Sequence, residues 1–143
     1  MKEPSPILLF GSFALLWLIV NYIISNGIYK IAKNHSLKQK KSGDYKRFKR
    51  CHSSFGKGIA TIDLYNDGMV ISLNKLFNPW VSSFYFPFSE MVLIKSKMVT
   101  GMMTESRITV IEFGDKQYHF YDSIAEELND QLTLIEKTKK TKH

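Results

Sequence analysis

Residues 59–73 read Ile-Ala-Thr-Ile-Asp-Leu-Tyr-Asn-Asp-Gly-Met-Val-Ile-Ser-Leu, and this stretch decides the fold class. Up to Tyr65 the chain alternates. Ile59, Thr61, Asp63 and Tyr65 fall on one face, and Ala60, Ile62 and Leu64 on the other. A period of two is the signature of a half-buried strand. Asn66-Asp67-Gly68 then supplies residues that tolerate positive φ, which a tight hairpin needs. Met69 to Leu73 is the return strand. One hairpin is at best marginally stable in water, so its apolar face requires further strands on either side.

Those strands are legible in both directions. Upstream, Tyr45 to Phe55 is a polar candidate strand, followed by a turn at Gly56-Lys57-Gly58. Downstream, Asn74 to Pro79 is a loop and Val81 to Phe86 a strand closed by Pro87. Met91 to Val99 is a strand ended at Gly101. Arg107 to Phe113 is rich in β-branched residues, Gly114-Asp115 turns, and Lys116 to Tyr121 returns. The period then becomes helical, with Ile124, Leu128, Leu132 and Ile135 spaced by four, four and three residues. Asp122 or Ser123 can cap this helix, and Glu126 three residues after Ser123 completes a capping box. The pattern predicts fraying into a basic tail, 138–143. The expected fold is α+β: seven antiparallel strands in a partly open barrel over 45–137, capped by a C-terminal helix. That is the plan of a pleckstrin-homology-like (PH-like) domain.

The N-terminal part belongs to a different class. Residues 4–29 carry no charge, enough for about 39 Å of helix, whereas the hydrocarbon core needs about 20 residues. The densest part, 6–25, is apolar all round, unlike the stripe of a core helix. Lys2 and Glu3 cancel, the apolar run is long, and Asn21 to Gly27 offers no good cleavage site. These features speak against a signal peptide. A single transmembrane helix follows, with 1–5 as a short outer terminus and 26–44 as a basic junction.

Charge sets the expected orientation. The 143-residue chain has a net charge of +7. Ten Lys and Arg fall between Lys30 and Lys57 against one acid, Asp44, whereas Gly58 to Glu136 holds five basic and eleven acidic residues. Positive flanks stay on the cytoplasmic side. The reading is an inner (plasma) membrane protein with its N-terminus out and its domain in the cytoplasm. Lys30, Lys33, Lys38, Lys40 and Lys41 are the candidate membrane-surface cations, each adding about 1 kcal/mol near anionic headgroups. Lys38, Lys40 and Lys41 lie in a segment, Ser36 to Gly43, that reads as a hinge. No recognition motif for nucleic acid accompanies the charge.

Several motifs also carry a family resemblance. Gly27 with Ile31-Ala32 follows the span, Asp67-Gly68-Met69 forms a hairpin return, and Leu76-Phe77 is an aliphatic–aromatic pair. Phe86-Pro87-Phe88-Ser89-Glu90-Met91 stands where an aliphatic-P-W-S-E-I segment is expected, with Phe88 in place of Trp. Over roughly residues 7–95 the chain resembles a family of small bacterial membrane proteins with one N-terminal span and a PH-like domain. The resemblance implies that fold and carries no reaction.

Chemistry-bearing residues are sparse. Cys51 is the sole cysteine, and His35, His52, His119 and His143 are scattered. A zinc site needs about four ligands at defined spacing. A cysteine nucleophile needs a base and an orienting group beside it. No glycine-rich phosphate loop occurs. No cofactor, metal or catalytic activity is expected. In the aromatic run Trp80, Phe84, Tyr85, Phe86 and Phe88, alternate rings fill a barrel core; alternatively, Trp80 and Phe84 form an exposed edge that touches lipid or a partner. The sequence therefore reads as a membrane-anchored binding or scaffold protein with an unidentified protein partner. The alternatives are a tethered enzyme with a site at the barrel mouth and an immunity- or inhibitor-type protein.

Overall fold

A computed structural model describes residues 2–37, 41–79 and 81–142, leaving aside the side chains of 24 and 25. Helix α1, Pro6–Asn34, opens with Ser5 as N-cap, whose hydroxyl accepts from the Leu8 amide at 3.3 Å. Pro6 stands where a missing N–H costs little. The window Pro6–Ile23 has mean hydropathy 2.0 and no buried residue, so it is long and apolar enough to cross a membrane. The last turns differ. Ile28 and Ile31 pack on the domain core, and Ala32 is 1% exposed.

Seven strands follow: β1 Lys46–Ser53, β2 Gly56–Leu64, β3 Gly68–Leu73, β4 Phe84–Pro87, β5 Met91–Thr100, β6 Glu105–Phe113 and β7 Lys116–Tyr121. They form one antiparallel sheet ordered β4-β3-β2-β1-β7-β6-β5, curled into a half-barrel. Helix α2, Asp122–Thr141, lies across β5, β6 and β7 through Ile124, Ala125, Leu128 and Leu132. The buried Thr109 hydroxyl on β6 donates to the Ala125 carbonyl at 2.6 Å, tying helix to sheet. The core is aromatic, with Phe84, Phe86 and Phe120 fully buried and the Phe86 ring stacked on Phe113 at 4.0 Å.

The hairpin forms where the alternation places it. Leu64 pairs with Met69, and the Tyr65 amide donates to the Gly68 carbonyl. Four local expectations are corrected. The β1–β2 reversal falls at Ser54-Phe55, because Phe55 is buried against Phe84 and Tyr118; Gly56 to Gly58 already belong to β2. β4 starts at Phe84 instead of Val81, because the loop before it winds back, the Val81 amide donating to the Asn78 carbonyl. The capping box is absent: α2 starts at Asp122, Tyr121 is the N-cap, and no side chain caps it. Nor does α2 fray at Lys137, since Thr138 and Thr141 donate to the carbonyls of Leu134 and Lys137 and the helix continues to Thr141.

Candidate functional site

The open seam of the half-barrel lies between its edge strands, β4 and β5. The chain leaving α1 occupies it. The His35 carbonyl accepts from the Tyr85 amide, the Leu37 amide donates to the Ser83 carbonyl, and Ser36 bridges Phe84 antiparallel. This short pairing covers the edge of β4, which would otherwise present unpaired backbone groups. On the other side, the His35 ring stands edge-on to Phe113 at 4.8 Å and to Phe86 at 5.9 Å. Phe113 pairs with Met91 at the start of β5. The exit from α1 therefore pairs with the β4 edge and reaches the end of β6, next to the edge strand β5, and residues 35–37 are not a free hinge. Sequence reasoning treated His35 only as one scattered histidine. No local signal marks a residue whose partners are Phe86 and Phe113.

The basic junction divides into three groups. Lys30 and Lys33 are exposed on α1. Lys38 and Lys40 lie outside the described residues. Lys41 is turned onto the domain: its Nζ sits 2.8 Å from an Asp67 carboxylate oxygen and 4.4 Å from the centre of the Tyr85 ring. The hydrogen bond raises the Lys41 pKa and lowers that of Asp67. Lys41, expected among the membrane-surface cations, is thus paired within the domain. Lys46 pairs with Glu127 at 2.9 Å, and Arg47 makes a two-bond fork to Asp63. Individually such pairs add little stability. Their consequence is geometric, because each cation is aimed at a carboxylate of the same domain, although the Lys46 and Arg47 side chains stay 64% and 47% exposed.

The proposed aromatic edge divides as well. Phe84 has 0% exposure and packs against Phe55 and Phe86, so it is a core residue and not an interaction edge. Trp80 lies outside the described residues. Leu76 and Phe77, in the same loop, are exposed.

The thiol and histidines are placed apart. Cys51 is buried, its Sγ donates to the Phe48 carbonyl at 3.2 Å, and burial pushes the thiol pKa up, against thiolate chemistry. His52 stacks on Tyr121 at 4.1 Å, and the His119 backbone is tied to Ser54. Among the described residues no three His, Cys, Asp or Glu side chains group as metal ligands do. In comparisons with protein-family models, curated proteins and solved structures, nothing matches this chain.

Proposed function

We propose that this is a single-pass membrane protein that holds a PH-like interaction domain at the cytoplasmic face of the inner membrane and acts by binding a protein partner, without catalysis. One observation carries the reading. The Pro6–Ile23 stretch of α1 is apolar and wholly uncovered, while the end of the same helix is buried in the half-barrel. Anchor and domain are one continuous element. A helix with no apolar surface covered by protein calls for lipid. The strand order, the curl and the C-terminal helix support the PH-like assignment, as does the family resemblance of residues 7–95. Orientation follows from Lys30 and Lys33, which flank the span on its domain side.

The test has two parts. A cytoplasmic reporter fused after residue 142 should be active and a periplasmic one silent; the reverse pattern refutes the orientation. The detergent-solubilised full chain should co-purify a defined protein in stoichiometric amount from its native membrane. Isolation of the chain alone, with a small-molecule turnover that follows the domain, would replace binding by catalysis.

A further inference from the structure

The sequence assigns the basic tail to a fraying end, but the structure makes it a projecting helix. The apolar stripe of α2 ends at Ile135, and the helix continues for six more residues to Thr141. That is about 9 Å of helix without a core contact. Lys137, Lys139, Lys140 and Lys142 are all exposed there, and none is within ion-pair distance of a carboxylate among the described residues. One or two cations suffice to offset a helix dipole. Four in six residues, on turns that bury nothing, exceed that need.

The overhang is also positioned. Lys139 and Lys142 lie in one groove with Ile135 and with Asn66 of the β2–β3 turn. The next residue of that turn, Asp67, binds Lys41, six residues after the seam contact of His35. Ile135 of α2 and Ile28 and Ile31 of α1 pack on the same core. Tyr85, which holds His35, lies two residues from Pro87, the partner of Gly68 in that turn, so the exit of α1 and the cationic overhang lie at the same end of the sheet. About 16 Å of helix separates Ile23, the end of the apolar window, from Asn34. The surface potential of a bilayer falls off within a Debye length of about 8–10 Å, so the overhang meets it when the domain tilts toward the membrane.

We infer that the α2 overhang is a second contact with anionic lipid headgroups, which together with Lys30 and Lys33 fixes the domain's tilt on the membrane. This rests on the reading that α1 spans the bilayer. It adds to Lys30 and Lys33 a set of lipid-facing cations nearly a hundred residues away in sequence, whereas Lys41, Lys46 and Arg47 are paired within the domain.

The full chain is reconstituted in nanodiscs of phosphatidylcholine alone or enriched in phosphatidylglycerol. A fluorophore is placed at Thr141→Cys in a Cys51→Ala background, with a second probe at Glu105→Cys on the β5–β6 hairpin. A headgroup-borne quencher reads proximity. The expected result is strong quenching at position 141 only with phosphatidylglycerol, reversed by high salt, and little change at 105. Each Lys→Gln substitution at 137, 139, 140 or 142 weakens the contact by roughly fivefold, the equivalent of about 1 kcal/mol. Quenching that is the same in both lipids, or unchanged in the fourfold Gln variant, overturns the inference. A chain that fails to enter the discs at all refutes the spanning helix instead, which keeps the two failures distinct.

Discussion

The imidazole of His35 meets the ring of Phe113 edge to face at 4.8 Å, so the residue that caps α1 is seated on the last residue of β6. One residue later, Ser36 bridges Phe84 of β4. The helix end thereby covers the β4 edge and rests on the end of β6. An apolar anchor joined through a free linker would leave its domain indifferent to the anchor. Here Ala32 and His35 belong to the packing of the domain itself, and they couple the two mechanically.

A fragment beginning at Asp44 should therefore be the wrong domain to isolate. It lacks Ala32, the His35 ring contacts and the backbone bonds to Ser83 and Tyr85. At about 25 cal/mol per Å² of apolar surface and about 1 kcal/mol per hydrogen bond, the loss is about 3 kcal/mol relative to a fragment beginning at Asn26. The shorter fragment should unfold at lower urea and self-associate through the bared edge of β4. Equal midpoints and equal elution volumes would mean that the seam contacts contribute nothing.

Gly68 sits at the start of β3, under Phe86. A Cβ there would meet the Phe86 carbonyl oxygen and the Tyr85 ring at 2.6 Å. A backbone oxygen in a paired strand cannot step aside. Gly68→Ala should cost about 2 kcal/mol by the usual scale of overpacking. Gly114 has φ +66° and open space around it, so Gly114→Asn meets only the left-handed backbone penalty, which Asn tolerates best, and should cost no more than about 1 kcal/mol. Chemical denaturation of both variants checks the contrast.

On α2, burial separates two leucines six residues apart. Leu128 is fully buried and Leu134 is 61% exposed. Leu128→Ala should lose about 2–5 kcal/mol, and Leu134→Ala no more than about 0.5 kcal/mol. Similar losses at both positions would contradict the helix orientation.

The Lys41–Asp67 tie makes a small part of the stability depend on acid pH. The folded carboxyl of Asp67 titrates below its usual value because Lys41 donates to it. Its contribution is complete above the unfolded value near 3.8 and disappears as the pH falls through the lower folded value. Asp67 is 64% exposed, so the amount is under about 1 kcal/mol. The stability difference between the natural chain and Asp67→Asn should be constant from neutral pH to about 5 and should shrink below about 4. A difference that grows on acidification would reverse the assignment.

Much of this architecture could be read from short-range pattern. The uncharged run 4–29, the alternation through Ile62 and the stripe Ile124-Leu128-Leu132 each depend on the period of a backbone and on which face meets water. Those are properties of neighbouring residues, and they survive in the three-dimensional structure. Element ends were less legible. The reversal at Ser54-Phe55 arises because Phe55 has a place beside Tyr118, 63 residues away in the chain.

Charge was legible as a sum and not as a surface. The run from Lys30 to Arg50 is basic apart from Asp44, but Lys41, Lys46 and Arg47 meet carboxylates 26, 81 and 16 residues away. Only the folded domain brings those partners within 3 Å. Phe84 follows the same rule, since its strand pattern permits either an exposed edge or a core, and burial between Phe55 and Phe86 selects the core. The sequence by itself determined which segments are apolar, which alternate and where the helices run, because these follow from local periodicity. Which cations remain free, and that the end of α1 covers the β4 edge, was decided by tertiary structure, because pairing and burial depend on residues that only folding makes neighbours.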